Sequence, residues 1–261
     1  VYQDFWVTNP GFGVSRWTTN GGQFDPYYWE CPRATRDYIG LNISFEKRFS
    51  HNWQGGFNYT LSKAYGNYSG LASSDEGGRL GPSVEQDFDR WFMGYDGLGN
   101  MLDGPLPQDR THYFKTYGSY AFPFGLTVGM VAYGRSGLPL STKVLYNSKY
   151  FYVNGRGDMG RLPFTVWADL FMEYALKFRG GTRAAINLQI NNITDTDTVQ
   201  SVIITPNRSS FTGYHDQILD GTFYTDYMSI IESRGIAHAA YGDWETRMGT
   251  WSARLGLKFS F

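Results

Sequence analysis

Apolar side chains recur at every second position along several stretches of the chain. In DYIGLNISFEKRF, Asp37 to Phe49, the residues Ile39, Leu41, Ile43, Phe45 and Phe49 share one face, while Tyr38, Asn42, Ser44, Glu46 and Arg48 share the other. A period of two is the mark of a strand with two unlike faces. After the polar step Ser50-His51-Asn52, WQGGFNYTLS repeats the alternation, with Trp53, Phe57, Tyr59 and Leu61 opposite Gln54, Asn58, Thr60 and Ser62. The two segments predict a hairpin with a tight turn. The same unit recurs at His112 to Phe122 and Leu126 to Gly134 about a turn at Pro123 to Gly125, where Leu126, Val128, Met130 and Ala132 oppose Thr127, Gly129 and Tyr133. A third unit sets Ala168, Leu170, Met172, Tyr174, Leu176 and Phe178 against Trp167, Asp169, Glu173 and Lys177. It turns at Arg179 to Gly181 into Ala184, Ile186, Leu188 and Ile190 against Arg183, Asn187, Gln189 and Asn191. Helical periodicity is not evident anywhere, so the expected class is all-β.

The connections between hairpins are of a different kind. Tyr65 to Arg110, Ser136 to Pro163 and Thr194 to Met248 are long, rich in Gly, Asp, Asn, Ser and Pro, and without a strand of comparable quality. Short turns at one end and long loops at the other predict a transmembrane antiparallel β-barrel with short periplasmic turns and long extracellular loops. In lipid every backbone N–H and C=O must be paired within the protein, so strands cross only as a closed barrel. The polar faces then line the lumen, with Asp169, Glu173, Arg183, Asn187 and Gln189 as lumen-facing residues. Trp53, Tyr59, Tyr174, Phe178, Trp251 and Phe259 are expected as aromatic girdle residues near strand ends. A soluble all-β domain with one solvated face per sheet also explains the alternation.

Composition narrows the function classes. The chain is 41% hydrophobic and 18% aromatic, with 32 Gly, a balance that favours strands and turns over helices. A net charge of -1 with scattered Lys and Arg leaves no basic stripe for nucleic acid. One cysteine, Cys31, forms no internal disulfide pair. The start VYQDFWVTNPG lacks a basic region followed by an apolar run, so a mature or truncated chain is expected rather than one with a signal peptide.

The blocks FEKRFSHNWQGGFNYTLSKAYGN, GPLPQDRTHYFKTYGSYAF followed by GLTVG and SGLPL, DLFMEYALKF with INLQINNITD, and the closing RLGLKFSF resemble the C-terminal half of TonB-dependent outer-membrane receptors, nearest to the Oar-like branch. From VTNPG at residues 7 to 11 through to Phe261 the ordered series covers most of the chain. Arg254, Gly256, Phe259 and Phe261 fit the family's C-terminal assembly signal: a polar residue, a glycine, then two hydrophobic residues two apart. Such receptors carry an N-terminal plug and about 22 strands. Residues 1–261 supply about seven or eight strands. They are therefore expected to be the C-terminal portion of a receptor barrel, with the plug and the N-terminal barrel strands outside this chain and the abrupt terminus at Val1, which starts inside the barrel wall, rather than at Phe261. The resemblance implies location in a Gram-negative-type outer membrane and energy-coupled uptake of a nutrient or other ligand. It also implies partnership with TonB, ExbB and ExbD through the missing N-terminal part, with the outer-membrane barrel assembly machinery, with outer-membrane lipid, and with a surface lipoprotein or larger membrane assembly. Alternatives are a self-contained small porin, a structural or partner-docking barrel, and a secreted β-sandwich binding module.

Catalytic, metal and cofactor chemistry have no constellation to rest on. His51, His112, His215 and His238 lack metal-ligand spacing, and no serine stands in a GxSxG elbow. Gly155, Gly157 and Gly160 spell GxGxxG and Arg156-Gly157-Asp158 spells RGD, but without a strand before and a helix after them a glycine-rich loop tip explains both. Asp75, Glu76, Glu85, Asp87 and Asp89 make an acidic loop without calcium-loop spacing. The long loops also hold large aromatics that barrel packing does not demand: Trp91, Phe92, Tyr95, Phe223, Tyr224, Tyr227, Tyr241 and Trp244. Packing of loop on loop explains them, and so does a ligand-binding vestibule, for which Trp91, Tyr95, Tyr227 and Trp244 are the candidates.

Overall fold

The computed structural model describes residues 14–15, 29–30, 35–67, 102–178 and 182–260. Strands β1 (Val14–Ser15) and β2 (Trp29–Glu30) form a short antiparallel pair. The predicted hairpins follow as β3 (Arg36–Ser50) with β4 (Trp53–Gly66), and, after β5 (Gly104–Pro105), β6 (His112–Ala121) with β7 (Leu126–Arg135). Beyond the small hairpin β8 (Lys143–Tyr146) and β9 (Lys149–Tyr152) come β10 (Thr165–Lys177) and β11 (Arg183–Asn191). Strand β12 (Val199–Val202), helices α1 (His215–Leu219) and α2 (Thr222–Ser233), and β13 (Trp244–Arg247) lead to β14 (Ser252–Ser260). One sheet runs in the order β14-β11-β10-β7-β6-β4-β3, with β5 joined to β4, and every long neighbour is antiparallel.

The turns are as tight as the pattern required. His51 and Asn52 have φ of 53° and 66°, the two positive values of a two-residue hairpin turn. Lys47 braces that turn: its ammonium donates to the carbonyls of Ser50 at 2.9 Å and Trp53 at 3.2 Å and lies 4.0 Å from the Trp53 ring centre. At Pro123 to Gly125 the turn closes with Phe122 N–H donating to Leu126 O at 2.7 Å. Gly125 has φ of 98°, and a Cβ there would stand 2.7 Å from Ala175 O, so both conformation and space call for glycine.

Register shows how the two faces run across the sheet. Trp53, Tyr120, Val128, Met172, Leu188 and Leu255 pair in one continuous row; one residue along, Gln54, Ser119, Gly129, Phe171, Gln189 and Arg254 make the next, on the other face. The apolar rows are uncovered: Ile39 and Leu255 are each 74% exposed, Phe45 63% and Met130 49%. A soluble sandwich would cover this face, and a contiguous apolar surface of this extent calls for an apolar medium. Strands β6 and β7 have ten residues each, the length of a tilted membrane-crossing strand. Exposed aromatics gather at the turn end, with Phe49, Trp53, Phe122, Phe124, Phe178 and Phe259, and at the loop end, with Phe164 and Trp251. Tyr59 corrects the expectation for strand ends in one respect. It is central in β4, which outgrows its neighbour, yet it lies near the outer end of β6, where its hydroxyl meets His112 Nδ1 at 2.8 Å.

The buried core of the described residues lies outside this sheet, in the long connections. Val144, Tyr146, Phe151, Val153, Phe211, Ile218, Phe223 and Ile231 form one cluster, with Phe151, Phe223 and Ile231 fully buried. The connections thus fold into a small α/β cap. This corrects the expectation of no helix. In α2, Phe223, Tyr227, Ile230 and Ile231 recur at helical spacing, and its ends are built as helix ends are. The Asp220 carboxylate accepts from Thr222 N–H at 2.9 Å and Thr222 Oγ1 at 2.6 Å, which holds this carboxyl below the ordinary aspartate range. At the far end Gly235 has φ of 66° and Ile236 N–H donates to Ile231 O at 3.2 Å, a Schellman closure. Among the described residues no helix is long and apolar enough to cross a membrane, which says nothing of crossing by strands.

Two outcomes are expected. Met130→Arg, on the apolar face near mid-strand, should cost about 2–4 kcal/mol in urea unfolding from phospholipid vesicles. Val131→Arg, one residue along and paired across from Asp169, should cost less than half as much; equal losses would dismiss the two-face assignment. Phe223→Ala should cost the cap about 3–5 kcal/mol. Amide exchange should then show α2 losing protection while β6, β7 and β10 keep theirs.

Candidate functional site

The face opposite the apolar one carries the polar side chains of every long strand. Register pairs Glu173 with Asn187 and Asn187 with Gly256, Gln189 with Arg254, and Lys177 with Arg183. Asp169 stands on the same face across from Val131 and is committed to structure: its Oδ1 accepts from Asn192 N–H at 2.8 Å. Asn192, nearly buried and with φ of 50°, folds the chain back after β11. Its amide nitrogen donates to Thr196 O at 3.1 Å and Gly249 O at 2.8 Å, and its carbonyl oxygen accepts from Thr196 N–H at 3.0 Å. The same sequence clue that marked Asp169 as a lumen charge does not reveal this clasp, because the partner lies in the following loop.

Nearer the loop end the polar face becomes aromatic and cationic. Tyr133 and Trp167, opposed across β7 and β10, lie nearly parallel with centroids 4.8 Å apart and planes at 15°. Lys115 Nζ is 5.5 Å from the Tyr133 centroid and the Arg135 guanidinium carbon is 5.1 Å from that of Trp167. Beside them Arg110 donates from Nη1 to Ser136 O at 2.5 Å and lines an open hollow of about 330 Å³ with Arg36, Tyr38, Tyr113 and Gln108. Burial first, and then the nearby Arg135 charge, push the Arg110 guanidinium below the ordinary arginine range, with only Tyr113 acting the other way. Tyr133 and Trp167 were legible as polar-face residues; the approach of Arg110 and Arg135 was not, because it depends on how the loop before β6 meets the end of β7.

The loop candidates are separated by the fold. Tyr227 packs against the cap core from α2, and its hydroxyl accepts from Asn154 Nδ2 at 3.2 Å. Trp244 is 58% exposed on β13, with the Arg247 guanidinium 5.5 Å from its ring centre. Phe223 and Tyr224 serve the cap core, and Tyr241 joins Thr142 Oγ1 at 2.8 Å. Trp91 and Tyr95, like Phe92, Cys31 and the acidic loop from Asp75 to Asp89, lie outside the described residues, as do Phe261 and the VTNPG block. Of the assembly-signal residues, Arg254 and Gly256 fall on the polar face of β14 and Phe259 on the apolar one. A Cβ on Gly256 would stand 2.5 Å from Asn187 Oδ1, so the glycine makes room for that amide.

The glycine-rich RGD segment is a loop with internal duties. Gly155, Gly157 and Gly160 all have positive φ. Arg156 donates to Leu102 O at 3.0 Å, Asn67 O at 3.0 Å and Tyr152 Oη at 2.9 Å, and Asp158 accepts from Thr142 N–H at 2.8 Å. A second tie is made by Asp109, 1% exposed: Oδ1 accepts from Ala64 N–H at 2.6 Å and Oδ2 pairs with Arg161. Among the described residues no three His, Cys, Asp or Glu side chains gather in a way that holds a metal ion.

Residues 16–138 match the family model described as outer membrane beta barrel domain. Over that stretch the chain is similar to outer-membrane β-barrel domains, and it resembles TonB-dependent transporters. It is 31% identical over 179 residues to the TonB-dependent transporter Oar of Myxococcus xanthus, an alignment covering 65% of this chain and 15% of that protein. Among solved structures the ferric-catecholate import receptor Fiu of Escherichia coli K12 is similar with a TM-score of 0.41 and 17% identity, over 72% of this chain and 20% of the receptor. The chain thus spans less than a quarter of the length of either relative. Both relatives are named for transport or import, and the outer membrane beta barrel match together with the likeness to Oar places the chain in the bacterial outer membrane.

Asp109→Ala leaves the Ala64 amide and the Arg161 guanidinium without their acceptor, a loss of about 1–3 kcal/mol. Tryptic cleavage after Arg156 should quicken in that variant and in Arg161→Ala, with the double variant no faster than the worse single one; additive acceleration would show that the pair is not one tie.

Proposed function

We propose that this chain forms part of the wall and outer cap of a TonB-dependent transporter barrel and takes part in energy-coupled uptake of a ligand across the outer membrane. The observation that carries this is the 31% identity to the TonB-dependent transporter Oar over 179 residues. The geometry supports it. Among the described residues neither β3 nor β14 has a strand on its outer edge, and the two do not pair with each other. An open edge in lipid leaves a row of backbone groups unsatisfied, which favours a larger barrel with further strands beside both edges. A self-contained small barrel would instead need β14 against β3.

In this proposal residues 1–261 are the C-terminal portion of the barrel, and the plug and remaining strands belong to other parts of the polypeptide. The plug would receive the pull of TonB, ExbB and ExbD. Arg254, Gly256, Phe259 and Phe261 would serve recognition by the barrel assembly machinery, and the cap would offer a surface to a lipoprotein or larger membrane assembly. Tyr227 and Trp244, with Trp91 and Tyr95, remain the proposed outer contacts for a ligand, and Glu173, Arg183, Asn187 and Gln189 the proposed lumen lining.

The polypeptide containing this chain, isolated from outer membranes, should have an intact mass several times 29.7 kDa and should crosslink to the periplasmic domain of TonB. A mass near 29.7 kDa with no TonB crosslink would overturn the proposal.

A further inference from the structure

Among the described residues, the outer half of the polar face holds cations without carboxylates to match them. Arg135 spends Nη2 on Gln200 Oε1 at 2.7 Å, a group brought in from β12, while its Nε is shut away from solvent with no acceptor. Arg110 reaches the same corner through its bond to the carbonyl of Ser136, the residue that follows Arg135, and among the described residues no carboxylate pairs with either guanidinium. Lys115 adds a third cation one row down. The acids nearby are spoken for or face elsewhere. Asp109 is paired with Arg161, Asp169 accepts from Asn192, and Asp37, at the rim of the hollow, pairs with Tyr65 on the opposite face of the sheet. A buried guanidinium donor without an acceptor costs free energy, and two like charges in a partly dry setting add to it. An anion beside the two guanidinium groups offsets the second of these costs, while the enclosed Nε stays out of its reach.

We propose that Arg110 and Arg135 form a site for an oxyanion, a carboxylate or phosphate group, in the outer half of the lumen wall, with the Tyr133–Trp167 plane as its floor. The site rests on the assignment of this face to a transporter lumen. Arginine suits the task because its planar fork meets two oxygens of a carboxylate or phosphate. The hollow of about 330 Å³ that Arg110 shares with Arg36 and Tyr113 gives such a group access to Arg110. Two sources supply this chemistry: a free solute, or an acidic side chain from another part of the same polypeptide.

The test uses the intact polypeptide in detergent, with citrate and inorganic phosphate as probes in titration calorimetry. Arg110→Gln/Arg135→Gln should weaken probe binding by at least about tenfold, the loss of one charge-assisted hydrogen bond. Lys258→Gln, at the turn end of the same face, should change it by less than about twofold, as a distant site does. Arg135→Lys, which keeps the charge, should retain most of the affinity if the double variant is folded and the loss is electrostatic. If neither probe binds the wild type but the double variant melts at a lower temperature, the anion is an acidic side chain of the protein itself. If neither probe binds and the double variant melts no lower, relief of repulsion has outweighed any anion and the site does not exist. A protein that binds citrate through these residues but does not crosslink to TonB retains the site and loses the transport proposal; the reverse result removes the site alone.

Discussion

Backbone hydrogen bonding in a medium that offers none in return is the constraint on which the structure depends. Each long strand satisfies its N–H and C=O groups through its neighbours, so a residue's register decides its medium as well as its partner. Shifting one strand by one position would turn Leu255 and Leu257 into the lumen and put Arg254 and Lys258 in lipid. This explains why the turns are so closely built. The positive φ values at His51 and Asn52, the braces from Lys47, and the space kept open by Gly125 fix register where the strands have least else to fix it.

The same constraint inverts the usual arrangement of apolar groups. The sheet turns Ile39, Phe45, Met130 and Leu255 outward, and its own burial contributes little to cohesion. Apolar burial in water occurs instead in the cap, around Phe151, Phe223 and Ile231. Two folding media thus meet at the outer rim, where polar ties bridge them. Arg156 reaches from the cap loop to the carbonyls of Leu102 and Asn67, and Asp109 joins the amide of β4 to Arg161. Ion pairs at an exposed rim are weak. Asp109 is fully enclosed, and its loss would therefore leave the Ala64 amide unsatisfied rather than returned to water.

How much was legible in the sequence follows from the range of the interactions. A period of two is written in neighbouring residues, so β3, β4, β6, β7, β10, β11 and β14 and their faces were readable, including Glu173 opposite Leu170 and Met172. Helix α2 was not, because its apolar stripe is short and its stability comes from Val144, Tyr146 and Phe151 in another loop. The end signals were present in Asp220, Gly221 and Gly235, but glycine and aspartate in a long loop also announce turns. The separation of Tyr227 from Trp244 was unreadable for a similar reason. Aromatic composition marks a loop as structured without saying which residues face inward.

The meeting of Arg110 with Arg135 shows what composition alone conceals. The chain is nearly neutral, yet Asp109 and Asp169, the described acids nearest this pair, are taken up by the Ala64 and Asn192 amides and by Arg161 and are not set against Arg110 or Arg135. Local charge is set by which side chains are already committed, and only pairing in three dimensions reveals that. Strand β12 sharpens the effect: Gln200 both donates toward Thr165 Oγ1 at 3.5 Å and accepts from Arg135, screening the guanidinium from water while meeting only part of its capacity. The cap therefore sets the dielectric in which the outer lumen cations act, and a change in its packing would be felt as a change in their strength.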